Sequence, residues 1–189
     1  MLAFNRCYNF PSIYTTFDSN IAAKFKNEGY YLEFWYKMDG FNVFCGAATP
    51  AGTREYIFYS IPHSFYLSAD GSKLIYELTT DNSISGELTR FSLNEWNTIV
   101  IEVKKQNVNN ISSQTLKIYS NNDLYNVDKS YSFDAKIDLG LYGIGFCNGI
   151  CDINSSKKTI TWNSAFYKNL RVWDSGVNPF VIQDYNNGM

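Results

Sequence analysis

YYLEFWYKMDG, residues Tyr30 to Gly40, sets five aromatic rings, one glutamate and one lysine ahead of an Asp-Gly pair. Side chains alternate across a strand, so Tyr30, Leu32, Phe34, Tyr36 and Met38 share one face. Tyr31, Glu33, Trp35, Lys37 and Asp39 share the other. The first face is wholly apolar and is expected to lie against a second sheet. The second mixes charges with rings, as on a half-exposed surface or in a shallow groove. Asp39-Gly40 tolerates positive φ and can reverse the chain. A strand with one apolar and one mixed face, closed by a tight turn, belongs in an antiparallel sandwich.

Outward from this strand, period-two alternation recurs with turn residues roughly every ten positions, an all-β pattern. The expected strands are Ser12 to Phe17, Tyr30 to Met38, Phe41 to Ala47, Arg54 to Ser60, Ser64 to Ser68, Lys73 to Thr79, Thr98 to Val103, Leu116 to Tyr119, Gly140 to Phe146 and Ala165 to Trp173. Asp70-Gly71 and Asn121-Asn122 supply further turns. The polar stretch Gln106 to Gln114 reads as a long loop. Long amphipathic helices are absent from this layout. One helical start stands out at Asn178-Pro179, leading into Phe180 to Tyr185. The 189 residues fit a single domain spanning 1–189, one part of a larger protein.

Composition excludes some functions. A formal net charge of −2 with scattered basic residues leaves no electrostatic footprint for nucleic acid. Lys104-Lys105 and Lys157-Lys158 read as solvated strand ends. No apolar run approaches the roughly 20 residues of a membrane helix. The start, MLAFNRCYNFPS, has no secretory signal, which by itself points to the cytoplasm. Two glycosylation sequons, at Asn110 and Asn154, point outward instead. So do four cysteines, an even set. Cys147 and Cys151 flank Asn148-Gly149, expected to turn and bring the two thiols together, which would leave Cys7 for Cys45. All three connectivities stay open, as does a set of reduced thiols. Disulfides favour an extracellular or cell-surface setting. A four-cysteine zinc site lacks the paired short spacing it needs.

Three later segments add to YLEFWYK: FSLNEWNTIVIEV, with Trp96 before an alternating strand; LKIYSNNDLY, a strand, an Asn-rich hairpin and a return; and AFYKNLRVWD, a closing strand. In this order they resemble the laminin-G-like and concanavalin A-like lectin/glucanase superfamily. Asn122 stands where the family's hairpin usually has glycine. The resemblance implies a jelly-roll β-sandwich of two curved antiparallel sheets, here with a short C-terminal helical turn. It implies packing roles for Trp96 and Trp173. It also makes calcium a ligand to weigh, with Asp152 and Asn154 at i, i+2 spacing and Asp81-Asn82 in another loop. Neither pair approaches a six-to-eight-oxygen set.

Catalysis is not expected. Glycoside hydrolysis needs two carboxylates across the scissile bond, and related glucanases place theirs on one strand. Glu33 has no such partner; Asp39 would lie about 20 Å away along an extended chain. His63, the single histidine, follows Pro62 in an expected surface turn without a nucleophile motif. LGLYGIG has no helix behind it for a phosphate loop and reads as a packed strand. What remains is a non-catalytic recognition or adhesion module with no required cofactor. Its expected ligand site is Tyr31, Glu33, Trp35 and Lys37, rings stacking on a sugar and polar groups bonding its hydroxyls. The alternative is a structural module that docks the same aromatic face on neighbouring chains of an assembly.

Overall fold

Phe34 lies flat on Phe58 from the opposite sheet, ring centroids 4.6 Å apart, and with Tyr30, Leu32 and Tyr36 it forms the core face that the sequence predicted. The protein is described by a computed structural model covering residues 2–4, 13–38, 53–68, 73–89, 92, 95–108, 111–121, 127–134, 136–152 and 165–176. Twelve strands are present among these residues: β1 Leu2–Phe4, β2 Ile13–Thr16, β3 Gly29–Met38, β4 Thr53–Ile61, β5 His63–Leu67, β6 Leu74–Leu78, β7 Asp81–Leu88, β8 Asn97–Val108, β9 Ile111–Ser120, β10 Lys129–Asp134, β11 Gly143–Asp152 and β12 Ala165–Asp174. They form two six-stranded sheets in the orders β1-β12-β3-β8-β9-β10 and β2-β11-β4-β5-β6-β7, with every pair antiparallel. This is a β-sandwich. Its core brings Leu32, Phe34, Ile99, Ile101, Leu116 and Ile118 of the first sheet onto Ile57, Phe58, Phe65, Tyr76 and Leu78 of the second.

One helix, α1 Ser19–Glu28, precedes β3 and was not expected. Asp18 caps it, accepting from Asn20 N–H at 2.8 Å. Only Ala22 and Phe25 point inward, too few for a visible stripe. Phe25 meets Phe17 edge-on at 5.3 Å and closes one end of the core. The helix stops at Gly29, whose φ of 93° lies in the left-handed region; a Cβ there would stand 2.1 Å from the Val103 carbonyl oxygen.

Several expectations are corrected. Gln106 to Gln114 is no long loop: β8 and β9 stay paired out to Val108 and Ile111. Lys104 and Lys105 therefore sit within β8, half-buried, and not at a strand end. His63 is a core residue of β5, not a surface turn residue. Asn148-Gly149 is not a hairpin turn, because β11 continues through it with a register shift between Phe146 and Gly149. Cys147 and Cys151 thus lie along one continuous strand and not across a turn. Asn121 does adopt the left-handed conformation, φ 51°, at the end of β9.

The strand Phe41 to Ala47, the Asp39-Gly40 and Asp70-Gly71 turns and the helical turn after Asn178 lie outside the described residues. So do Cys7, Cys45, Asn110, Asn154 and Lys157-Lys158.

Candidate functional site

The outer face of the first sheet is built by cross-strand register. Trp173, Tyr31, Glu102 and Lys117 form one row across β12, β3, β8 and β9. Arg171, Glu33, Val100 and Tyr119 form the next row. Tyr31, Val100 and Tyr119 pack together with Trp173 against them. Of the four expected ligand residues, Tyr31 and Glu33 are buried in this layer, whereas Trp35 and Lys37 are half-buried. The indole N–H of Trp35 donates to Glu33 Oε1 at 2.9 Å. That bond ties the ring to its own strand, so a ligand would meet the π face and not the N–H.

Charge accompanies the rings. Lys104 Nζ lies 5.6 Å from the Tyr31 ring centroid and 3.4 Å from Glu102 Oε2, with Lys117 Nζ at 3.9 Å from Glu102 Oε1. Burial pushes the Tyr31 phenol up and takes Tyr119 to about 12, so both stay protonated donors at neutral pH. The bond to Tyr31 leads the causes that raise Lys104, which stays charged. Glu102, Lys104, Lys117, Tyr119 and Arg171 were missed as members of this face. The signal was present in TIVIEVKK, where Val100, Glu102 and Lys104 alternate against Ile99, Ile101 and Val103; which strand lies beside which was not.

The histidine is held between two tyrosines. His63 Nε2 is 2.5 Å from Tyr30 Oη, Nδ1 is 2.9 Å from Tyr76 Oη, and Tyr30 O–H donates to the Leu139 carbonyl at 3.0 Å. These bonds are satisfied together when Nε2–H donates to Tyr30 and Tyr76 O–H donates to Nδ1. The ring is a neutral bridge between the sheets, its pKa lowered to about 3 by burial. For calcium, Asp152 ends β11 and Asn154 lies outside the described residues. Asp81 Oδ1 is occupied by Ser83, accepting from N–H at 3.1 Å and from Oγ at 2.6 Å. Among the described residues no group of three His, Cys, Asp or Glu side chains is placed to hold a metal ion. No helix among them is long and apolar enough to cross a membrane.

Neither protein-family models nor curated protein sequences match the chain. Solved structures do. A structure of botulinum neurotoxin type C, reported with its cell entry through two ganglioside molecules, aligns at 13% identity with a TM-score of 0.57. It covers 93% of this chain and 39% of that one. The binding domain of botulinum neurotoxin serotype D/C aligns at 14% identity and TM-score 0.59, over 93% of this chain and 40% of its own. The binding domain of botulinum neurotoxin DC in complex with rat synaptotagmin II gives 13%, 0.57, 93% and 39%. This chain thus spans about two fifths of the length of the structures it is similar to. At such identities the likeness is one of fold: the β-sandwich seen here is also built within those binding domains.

Proposed function

We propose that this chain is a non-catalytic recognition module that binds a glycan at a cell surface, outside the cell, as part of a larger protein. The observation that carries the reading is the fold shared with toxin binding domains over nearly the whole chain. The outer face supports it, with a half-buried tryptophan and lysine at one end of β3. Trp35 stacks on an apolar sugar face while Lys37 bonds a hydroxyl or an acidic group. The concanavalin A-like resemblance in the sequence fits the same role.

A protein partner is the second reading, favoured by the aromatic layer of Tyr31, Tyr119 and Trp173 and by the synaptotagmin complex of one structural neighbour. Labelled protein applied to intact cells separates the two. Binding lost after glycosidase treatment and kept after protease treatment supports the glycan; the reverse supports a protein. A Trp35→Ala variant that folds yet binds as well as wild type overturns the assigned face.

A further inference from the structure

A sheet edge leaves backbone N–H and C=O groups without a ladder partner, and proteins blunt such edges by brevity, bulges or charge. Among the described residues the edges of the sandwich are β1 and β10 of the first sheet and β2 and β7 of the second. β1 and β2 are three and four residues long. β7 breaks register against β6 between Glu77 and Leu78 and exposes Glu87 midway along its regular part. β10 differs from all three. Its six residues, Lys129 to Asp134, pair one for one with Ile118 to Ser113, without a bulge or a proline, and its charges stand only at the two ends.

The ladder of the first sheet fixes which groups of β10 are free. Asn121 N–H donates to the Thr98 carbonyl at 2.9 Å, continuing the β8–β9 register. Backbone groups alternate in direction along an antiparallel strand, so Tyr119, Lys117 and Thr115 bond toward β8, and Ile118, Leu116 and Gln114 toward β10. The 2.8 Å bond from Asp128 N–H to the Ile118 carbonyl agrees. Lys129, Tyr131 and Phe133, which pair with those three, therefore turn their backbone groups to β9. Ser130 and Ser132 turn theirs outward, where no strand lies among the described residues, and their side chains are exposed. The edge is also held in place. Tyr131 stacks on Phe133 at 6.2 Å against the core. At one end Asp128 accepts from Thr89 N–H at 3.1 Å and from Ser120 O–H at 2.5 Å. At the other the Gln114 amide donates to the Asp134 carbonyl at 3.0 Å. An edge already ordered loses little entropy when a strand is added to it.

We propose that β10 pairs with β10 of a second copy of this chain, antiparallel about a twofold axis through Ser132. In that register the free groups meet: Ser132 N–H of each copy donates to the Ser132 carbonyl of the other. On the outer face Ser130 comes opposite Asp134, hydroxyl to carboxylate. On the core side Tyr131 comes opposite Phe133. No like charges face each other, whereas an axis through Tyr131 would set Asp134 opposite Asp128. Strands of one sheet share their faces, so the outer faces of the two first sheets look to the same side of the joined sheet. On the glycan-binding reading, two Trp35 faces then engage one surface together; the pairing itself does not depend on that reading.

Sedimentation of the full chain, with amide hydrogen exchange, tests it. A short ladder belongs with the small interfaces under ~1,200 Å², so the mean mass should rise from monomer toward dimer between about 10 µM and 1 mM. Exchange at the Ser130 and Ser132 amides should slow over the same range. Ser132→Lys and Ser132→Asp each set like charges across the axis and should weaken association at least about tenfold. Mixed in equal amounts, these two variants should dimerise again, because unlike charges then meet. Ser132→Pro removes an N–H that β9 does not use, at an edge position where proline is tolerated, and should give a folded monomer. A wild-type chain still monomeric at about 1 mM, a dimer indifferent to the charge variants, or no recovery on mixing them would each overturn the pairing. Protection of the two amides only by a foreign extended peptide would assign the edge to another occupant and overturn the second copy. None of these readouts uses a glycan, so their failure leaves the recognition reading standing, and a chain that dimerises without retaining any glycan would do the opposite.

Discussion

The two ends of the β8–β9 hairpin follow one alternation and reach opposite chemistry. Near the middle of the sandwich, Ile101 and Val103 meet Leu116 and Ile118 beneath the second sheet, in the same core as Phe34 and Phe58. A few residues outward, the same side of the same strands presents Lys105, Asn107 and Ser112 to an open cavity. A strand face is thus not apolar or polar as a whole; it takes the character of what lies across from it. Where packing partners end, side chains are released from the demand for close fit and turn polar.

Substitutions test that contrast, beginning with the core. Phe34→Ala removes the ring stacked on Phe58 and should cost about 3–5 kcal/mol in urea unfolding. A loss below ~1 kcal/mol would mean the two sheets are not packed through this pair. Gly29→Ala forces a side chain into the Val103 carbonyl at positive φ. The expected loss is about 2 kcal/mol or more, large for one added methyl group, and it locates the helix–strand joint at the core end.

His63 sharpens the contrast through pH. The unfolded chain takes up a proton on its one histidine near ~6.5, whereas the folded ring resists until about 3. The unfolded state therefore binds more protons in this window, and stability falls as pH drops from about 6.5, by up to ~1.4 kcal/mol per unit. Asp138 and Asp174 have folded pKa values lowered below 3.8, so their losses come at more acidic pH. Denaturant midpoints between pH 7 and 4 should slope in wild type and flatten in His63→Leu. An equal slope in both would show that the histidine is not held neutral between the two tyrosines.

The smallest effects on stability belong to the cavity and the outer face. Lys105→Gln and Trp35→Ala should each change unfolding free energy by well under the cost of Phe34→Ala, with Lys105→Gln within ~0.5 kcal/mol. A collapse of the fold in Lys105→Gln would place that end of the hairpin in the structural core after all.

Most of the sandwich was readable because its central strands repeat one rule. Tyr30 to Met38 showed its core face in the letters alone, and turn residues marked the succession of most strands along the chain, though not β1, β7 or β10 and not which strand lies beside which. What escaped was structure whose signal is spread over partners. Helix α1 buries two residues of ten and rests on Asp18 and Gly29 at its ends. Strand β7, DNSISGEL, looks like a loop, yet Gly86 is where Tyr131 of β10 lies across it: a Cβ there would stand 2.5 Å from the tyrosine oxygen. Both β7 and β10 are edge strands, whose polar residues face water. His63 looked exposed beside Pro62 because its tyrosine partners are 33 and 13 residues away.

The candidate site was half legible for the same reason. Alternation put Tyr31, Glu33, Trp35 and Lys37 on one face. The strands packed beside β3 then decided that the first two are buried and the last two reach solvent. The paired outer ends of β8 and β9 were hidden in a stretch read as a loop.

The measurement that bears most directly on the account is glycan-array binding by the wild-type chain and by folded Trp35→Ala. The account predicts retention of a discrete set of glycans by wild type and its loss, or a drop of at least about tenfold, in the variant. No glycan retained by the wild-type chain under conditions where it is fully folded would contradict it.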